Sequence, residues 1–435
     1  MIKLARILFY CLIAYLPFQV ALNLGADYDL ASGRVFILLL FAFLALIFLR
    51  EKKRLVRQLV DLRIILPLAF FLLLAALSFF WAPSQSWAGR KILFLVSVAP
   101  MFLLARYFYL SPGSKHSQFA TGKFSWAIII PAIISAFIAL AQFLSQFLFG
   151  IDTVMEFWSR YIAPLWWGQN FGGLVISNPS WLVALGGQTI MRAIGLFPDP
   201  HMLAFYLGMV MPLVLAGLLF SEKYKKTLLG VFFLLLIVFC LTFSRGGYLG
   251  LIASLALVAV KAWPALSAAA RKFMLSCLAL VILLFLWFGA SPVVRLISIF
   301  DLNEGSNAGR LANWSQSLAV AKSNPLLGVG SGNYSFAVEP SADYRNSISS
   351  HNLYLDILAE LGIFGLLAWL AVWLAVGRGF IKLKLAGNQS AFLLGIYGGL
   401  VYFAVHSVFE TAMFNPIIAA FLMIYLGVAS YFKAK

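Results

Sequence analysis

A series of apolar runs, each about as long as a bilayer is thick, constrains this chain more than any other feature. A run of about 20 apolar residues predicts a transmembrane helix, because a helix of that length matches the hydrocarbon core. With 63% hydrophobic and only 11% charged residues, the chain holds more apolar surface than a soluble core could bury. We therefore predict an all-α integral membrane protein, a single polytopic domain over residues 1–435. The sequence predicts about twelve transmembrane helices, at 5–24, 35–49, 62–80, 92–110, 125–149, 201–220, 227–243, 246–262, 271–290, 353–377, 391–409 and 413–432.

The basic residues between these runs predict the orientation of the chain. With the N-terminus in the cytoplasm, most lysines and arginines fall on the cytoplasmic side, as the positive-inside rule requires. The net charge of +17 therefore reflects membrane topology and does not indicate nucleic-acid binding. Both termini are predicted to be cytoplasmic.

Arginine predominates among the cations on the predicted external side. Topology does not require this bias, whereas the planar guanidinium group suits phosphate or carboxylate oxygens. A lone arginine at a helix end is equally well explained as an anchor to lipid headgroups. Three of them beside glycines, Arg192, Arg245 and Arg310, indicate a site for a multiply charged anion. The predicted external cations are Arg34, Arg90, Arg160, Arg192, Arg245, Arg295, Arg310 and Arg345, with Lys91 and Lys322.

Two predicted external segments are too long to be simple connections. The first, about 150–200, is weakly apolar and tryptophan-rich, which predicts an interfacial or re-entrant segment at headgroup level. The second, about 291–352, has apolar residues at 311, 314, 318 and 321. That spacing predicts a short amphipathic helix on the membrane.

His351 stands at the start of the tenth apolar run, after Ser349 and Ser350. The two serines are candidate N-caps, which places the imidazole in the first turn of a helix. There the helix dipole favours the neutral ring, and a neutral histidine can accept a proton from a hydroxyl. Taken alone, His351 is better explained as a polar residue at a helix mouth, but the three arginines at predicted external helix ends favour a general base.

Several other ionisable residues lie close to these in sequence. Asp356 and Glu360, one and two turns after His351, are predicted to face the bundle interior and to orient His351 or pair with an arginine. His406 and Glu410 are four residues apart, which predicts a hydrogen-bonded pair, with a proton relay as the alternative. The four histidines lack the spacing of metal ligands, so we predict neither a metal nor a cofactor.

The second half of the chain carries a series of short motifs. One is His351-Asn352, nine further residues, and then Gly362-Ile-Phe-Gly365. The motifs upstream of it are Arg192-x-x-Gly195-x-Phe197-Pro198, Ser244-Arg245-Gly246, Gly309-Arg310-x3-Trp314 and Pro325 to Gly330. In kind and in order these motifs resemble those of the bacterial O-antigen ligase family and its O-antigen polymerase relatives, with the His351 motif as the strongest match. Asp199-Pro200-His201 departs from the Asn-Pro-Asn pattern expected there.

The resemblance implies a membrane glycosyltransferase of the GT-C type in a bacterial inner membrane. Such an enzyme moves a glycan from undecaprenyl diphosphate to an acceptor hydroxyl, on the lipid A core or another glycan, at the periplasmic face. His351, Arg245 and Arg310 would be catalytic, with His351 as the general base. Arg192, Arg245, Arg310 and Asn352 would bind the diphosphate or glycan, and Asp199, Asp356 and Glu360 would support them.

Two alternatives stay open from the sequence. A polymerase would use the same residues but add one carrier-linked repeat unit to another. A lipid-linked glycan transporter or flippase would bind its substrate through arginines near the bilayer midplane. That alternative predicts matching broken helices in the two halves of the chain. The candidate site residues instead cluster at external helix ends in the second half.

Overall fold

A computed structural model describes residues 1–25, 28–50, 62–110, 122–169, 179–185, 187–221, 224–289, 305–344, 348–385 and 388–430. Parts of both predicted external segments, together with Arg295, Arg345 and His116, lie outside these residues. Within them, the protein is mainly helical. The helices are α1 (Ile2–Tyr15), α2 (Ser32–Arg50), α3 (Leu62–Leu77), α4 (Gln85–Val98), α5 (Pro100–Leu110), α6 (Lys123–Phe149), α7 (Ile151–Phe157), α8 (Ala163–Trp166), α9 (Pro200–Phe220), α10 (Lys225–Cys240), α11 (Arg245–Ala262), α12 (Ala268–Gly289), α13 (Gly305–Ser323), α14 (Tyr334–Val338), α15 (Leu353–Lys382), α16 (Asn388–His406) and α17 (Pro416–Ala429).

The all-α, multi-pass membrane architecture is confirmed. In the described residues, six helical segments are long and apolar enough to cross a membrane, and three shorter apolar helices accompany them. A described helix lies in each of the twelve predicted runs. The six segments are Arg63–Phe80, Gln85–Tyr109, Lys123–Phe149, Pro200–Phe220, Arg245–Ala265 and Leu353–Lys382.

Two antiparallel hairpins, which the periodicity of the sequence does not predict, interrupt the helices. Strands β1 (Ala21–Gly25) and β2 (Tyr28–Ala31) form the first hairpin, and β3 (Leu182–Leu185) and β4 (Gln188–Met191) form the second. The prediction that the first span continues to residue 24 is therefore wrong. Helix α1 ends at Tyr15 and passes into a 3-10 turn that contains Pro17, which lacks the N–H group needed to continue the helix.

Helix α9 is the centre of the bundle and is buried almost all round. It packs against α10, α11 and α16. Glycines of α16 allow the closest approach: a Cβ at Gly395 would meet the Cα of Leu213, and one at Gly399 would meet the carbonyl oxygen of Met209. Small residues at such contacts let two helix backbones come together in a membrane. The contact brings the end of α16 beside the start of α9.

Helix α15 is broken at Gly362, where φ is +63° and ψ is −164°. The loop before it, Pro325 to Gly330, supplies hydrogen-bond partners to both sides of the break. Val329 and Gly330 donate their N–H groups to the carbonyls of Ala359 and Glu360, at 3.0 and 2.8 Å. Beyond the break, Ile363 donates to the carbonyl of Pro325 at 2.9 Å. A break within an apolar helix is tolerated because the loop pairs the backbone groups it exposes.

Gly362 should therefore be intolerant of a side chain. A Cβ at this position would meet the backbone of Leu326, and the positive φ costs a non-glycine residue about 1–2 kcal/mol. We expect Gly362→Ala to lower the thermal unfolding midpoint in detergent. Gly377→Ala, in the same helix with open space around its Cβ, is the matched control and should leave the midpoint unchanged or raise it slightly. Equal midpoints for the two variants would contradict this account of the break.

Candidate active site

His351 occupies a strained position just before α15. Its φ is +53°, a conformation that few residues other than glycine adopt. The N-cap of α15 is Asn352, whose Oδ1 accepts hydrogen bonds from the N–H groups of Tyr354 and Leu355 at 3.0 and 3.2 Å. The prediction that Ser349 or Ser350 caps the helix is therefore wrong. Ser349 Oγ instead accepts from the N–H of His351 at 3.0 Å, which helps to hold the turn.

Glu410 is the partner of the His351 ring. Its carboxylate oxygens lie 2.9 and 3.1 Å from Nδ1 of His351. This contact overturns the expected pair between His406 and Glu410, because α16 ends at His406 and the next residues turn away from the helical path. With Nδ1–H donated to the carboxylate, Nε2 of His351 becomes the proton acceptor, and it makes no hydrogen bond within the described residues. The His351 side chain is 45% exposed, so this nitrogen is open to a ligand.

The pair shifts the titration of both groups. The hydrogen bond and charge of Glu410 raise the pKa of His351 above its ordinary value of 6.5. Burial alone would raise the pKa of Glu410, but His351 outweighs it and lowers that pKa to about 2. The sequence argument that the helix dipole keeps the ring neutral is therefore superseded, since the carboxylate contact dominates. His351 becomes a stronger base than an isolated imidazole.

Asp356 holds the two segments of this pair together. Its carboxylate accepts a hydrogen bond from the N–H of Ser350 at 3.0 Å and from Oγ1 of Thr411 at 2.5 Å. Ser350 precedes His351 and Thr411 follows Glu410, so one buried carboxylate bridges both turns. Asp356 thus supports the position of His351 through the backbone of the preceding residue, Ser350. It does not contact the His351 ring in any described hydrogen bond.

Glu360 lies apart from this group. It forms an ion pair with Lys91 of α4, with Nζ 2.6 and 2.7 Å from the two carboxylate oxygens. The Lys91 ammonium also lies 3.6 Å from the centroid of the Phe414 ring. The expectation that Glu360 orients His351 or pairs with an arginine is therefore wrong. A lysine predicted among the external cations takes the carboxylate instead, next to the break in α15.

Arg192 is buried in the loop before α9. Its Nε donates to the carbonyl of Thr242 at 2.7 Å, and Nη1 donates to the carbonyl of Ser180 at 2.9 Å. Its Nη2 is buried and has no partner within the described residues. Burial lowers the pKa of Arg192 to about 10, which still leaves it charged at neutral pH. Arg192 therefore joins the segments that contain Thr242 and Ser180, and its Nη2 group remains unpaired within the described residues.

The loop that carries Arg192 is fixed from two sides. Two glutamines of α6 pair with its backbone: Gln146 exchanges hydrogen bonds with Met191 at 2.7 and 2.8 Å, and Gln142 accepts from Ile194 at 2.9 Å. Three indole N–H groups bind its carbonyls from the other side. Trp158, Trp167 and Trp181 donate to Gly195, Leu196 and Pro198 at 2.7, 2.8 and 2.8 Å.

These three tryptophans lie in the first predicted external segment, whose interfacial or re-entrant position stays a prediction. They secure the protein's own loop through their N–H groups, and Trp181 is fully buried.

Asp199 is the N-cap of α9. Its Oδ1 accepts from the N–H groups of His201 and Met202 at 2.8 and 3.0 Å. Burial raises the pKa of Asp199 to about 6, and the nearby charge of Glu410 adds to the shift. Asp199 thus lies within electrostatic reach of the His351 pair, although its hydrogen bonds are those of a cap.

Arg310 and Arg245 approach the same end of the bundle from different helices. Arg310, half-buried on α13, lies close enough to His351 for its charge to oppose protonation of the ring. Arg245 is the half-buried first residue of α11. The preceding residue, Ser244, contacts the rings of His201 and His406 at 3.0 and 3.2 Å. Among the predicted site residues, Glu360 is the one whose side chain pairs away from this end of the bundle, with Lys91.

The comparisons with known proteins bear on this arrangement. Residues 230–370 match a family model described as O-antigen ligase. About a third of the chain is thus similar to the O-antigen ligase family. The matched segment indicates an enzyme of the O-antigen ligase type. A search of curated proteins finds no match to the chain.

The O-antigen ligase match covers about a third of the chain and includes Arg245, Arg310 and His351. Arg192, Asp199, His201 and Glu410 lie outside it. Sequence reasoning missed the pairing of Glu410 with His351, because 59 residues separate them and no local spacing connects the two. Among the described residues, no group of three or more histidine, cysteine or acidic side chains could hold a metal ion.

The pH dependence of transfer should report the His351–Glu410 pair. A ring that accepts a proton must be neutral, so activity should rise with pH through the raised pKa of His351. In Glu410→Gln the cause of the raised pKa is removed. The acidic limb of the pH–rate profile, where activity rises with pH, should therefore move to lower pH. The maximal rate should fall about tenfold or more, because a charged hydrogen bond that contributes about 1.5–3 kcal/mol becomes a neutral one.

The measurement is kcat against pH for both proteins. Glu339→Gln, at an exposed carboxylate that contacts Ser341, is the matched control and should leave the profile unchanged. An acidic limb at the same pH in wild type and Glu410→Gln would contradict the assignment.

Proposed function

We propose that the protein transfers a glycan from undecaprenyl diphosphate to an acceptor hydroxyl at the periplasmic face of the bacterial inner membrane. In this proposal the chain crosses the membrane about twelve times as one polytopic domain, with both termini in the cytoplasm. The single observation that carries the mechanism is the contact of His351 Nδ1 with Glu410, which leaves Nε2 as a proton acceptor. The similarity of residues 230–370 to the O-antigen ligase family supports the substrate class.

The reaction follows from the chemistry of these groups. The acceptor hydroxyl attacks the anomeric carbon of the sugar, and His351 Nε2 takes the hydroxyl proton. Glu410 positions the ring and stabilises the imidazolium that forms. The bond from the anomeric carbon to the diphosphate oxygen breaks, and its electron pair leaves with the diphosphate. One displacement inverts the anomeric centre and needs no carboxylate nucleophile.

Arginines would neutralise the leaving diphosphate. Arg245 and Arg310 supply charge at the same end of the bundle as His351, and the buried Nη2 of Arg192 is a further donor. Preorganised donors of this kind lower the barrier most where negative charge develops during the reaction. Asn352 remains a candidate for binding the glycan, although its Oδ1 is engaged as a cap. No metal or cofactor enters the proposed mechanism.

Transfer to the lipid A core, catalysed by a ligase, is the form of the reaction we favour. A polymerase would use the same site to extend a carrier-linked repeat unit. The deciding experiment supplies purified protein with an undecaprenyl-diphosphate glycan and two acceptors in parallel, with EDTA present. Glycosylated lipid A core is the expected result, and a ladder on the carrier would make the protein a polymerase. Carrier binding without either product would contradict glycosyl transfer and favour a transporter.

The proposed roles of His351 and Arg245 predict a loss of transfer without a loss of folding. His351→Ala should lower kcat by about 10²–10⁴-fold, which is the usual contribution of a general base. Arg245→Lys should also lower transfer, because an ammonium keeps the charge but lacks the planar fork. Transfer by each variant is compared with wild type after its monodispersity has been checked. The matched control is Arg378→Lys at an exposed position at the far end of α15, and full transfer by His351→Ala would refute the mechanism.

A further inference from the structure

A second histidine lies at the same end of the bundle, joined to a chain of hydrogen bonds. His201 Nδ1 is 3.0 Å from Ser244 Oγ, and the same oxygen is 3.2 Å from His406 Nε2. His406 Nδ1 is 3.0 Å from the hydroxyl of Tyr402, which donates to the carbonyl of Ala204 at 2.7 Å. The chain of hydrogen bonds thus starts at a backbone carbonyl of α9 and ends at the imidazole of the second residue of that helix.

The carbonyl of Ala204 sets the direction of the whole chain. A carbonyl can only accept, so the single proton of the Tyr402 hydroxyl is committed to it. The Tyr402 oxygen must then accept from His406, which places a proton on Nδ1 of His406. The His406 ring is fully buried and stacks on Phe205, with centroids 3.8 Å apart, and an imidazole in such surroundings is neutral. Its Nε2 is therefore bare.

The next two links follow by the same logic. The hydroxyl proton of Ser244 goes to the bare Nε2 of His406, so the Ser244 oxygen must accept from His201. That places a proton on Nδ1 of His201 and leaves its Nε2 without one. Nε2 of His201 makes no hydrogen bond within the described residues, and the residue is only partly buried. The chain of hydrogen bonds therefore ends in an unused hydrogen-bond acceptor at the start of α9.

The two histidines of the site differ in what supports them. His351 has a carboxylate on Nδ1, which stabilises the ring after it takes up a proton. His201 has a neutral serine hydroxyl there, and the carboxylate of Asp199 is occupied by backbone N–H groups of α9. His201 is thus suited to accepting a hydrogen bond and poorly suited to removing a proton.

We propose that Nε2 of His201 accepts a hydrogen bond from a sugar hydroxyl of the donor or the acceptor and orients it beside His351, with its tautomer fixed by the chain from Tyr402. This role rests on the proposed glycosyl transfer. His201 is a binding and positioning residue in this scheme, and the proton that moves in the reaction goes to His351.

Steady-state kinetics test the binding role. His201→Phe keeps a ring but removes the acceptor, and it should raise KM for one of the two substrates about three- to tenfold, as expected for one neutral hydrogen bond. Its kcat and acidic limb should stay close to wild type. His201→Gln, whose amide oxygen can accept, should recover part of the loss. Donor and acceptor are varied separately, so the affected KM identifies the molecule that carries the hydroxyl.

Tyr402→Phe tests the chain itself. Without the tyrosine oxygen, the chain can reverse, so that Ser244 donates to His201 and the proton moves to Nε2 of His201. Selective ¹⁵N labelling of histidine shows which ring nitrogen is protonated, and the His201 signal is assigned by its loss in His201→Gln. We expect a bare Nε2 in wild type and an increased protonated fraction in Tyr402→Phe. Tyr425→Phe is the matched control, because Tyr425 also donates to an α9 carbonyl, that of Met209 at 3.1 Å, in no described contact with a histidine.

Several results would overturn the proposal. A protonated Nε2 in wild type would refute the fixed tautomer, and this measurement requires no substrate, with His201→Gln needed only to assign the signal. Unchanged KM values for both substrates in His201→Phe and His201→Gln would refute the binding role. Loss of kcat and of the acidic limb, as expected for His351→Ala, would make His201 the base instead. Failure of glycosyl transfer would appear separately, as absence of product from the wild-type protein.

Discussion

Backbone polar groups away from water must be paired within the protein, and the non-helical parts of this bundle depend on that requirement. The loop before α9 has its N–H and C=O groups paired by glutamines of α6 and by three indole N–H groups. The break at Gly362 is paired by the Pro325 to Gly330 loop. The first irregular segment therefore supports His201, which follows it, and the second supports α15, which it divides.

The candidate site has two histidines with different supporting groups. His351 contacts the Glu410 carboxylate, whereas His201 contacts Ser244, which leads to His406 and Tyr402. A carboxylate favours the protonated ring, while a neutral hydroxyl chain fixes only the position of the proton on the ring. Similar imidazoles are thereby given distinct chemistry by their neighbours, with the arginines supplying positive charge on the same side.

The sequence predicts the helices well, because their signal is the length of an apolar run and needs no tertiary information. It also leads to the proposal of Arg192, Arg245, Arg310 and His351 as site residues, from charge bias and motif spacing. It fails where contacts join distant segments. His351 and Glu410 are 59 residues apart, and Glu360 pairs with a lysine of a distant helix. Neither contact produces a periodic pattern in the sequence. The hairpins were missed because strands this short are not distinguished from loops by composition.

The contact between His351 and Glu410 crosses the boundary of the segment that defines the family match. The histidine lies inside residues 230–370, and its carboxylate lies 40 residues beyond them. Grafting only the matched segment into another membrane scaffold would carry over the base but not the group that raises its basicity. A functional chimera would need the turn after α16 as well, so the smallest exchangeable unit extends at least to Thr411, which also completes the contact with Asp356.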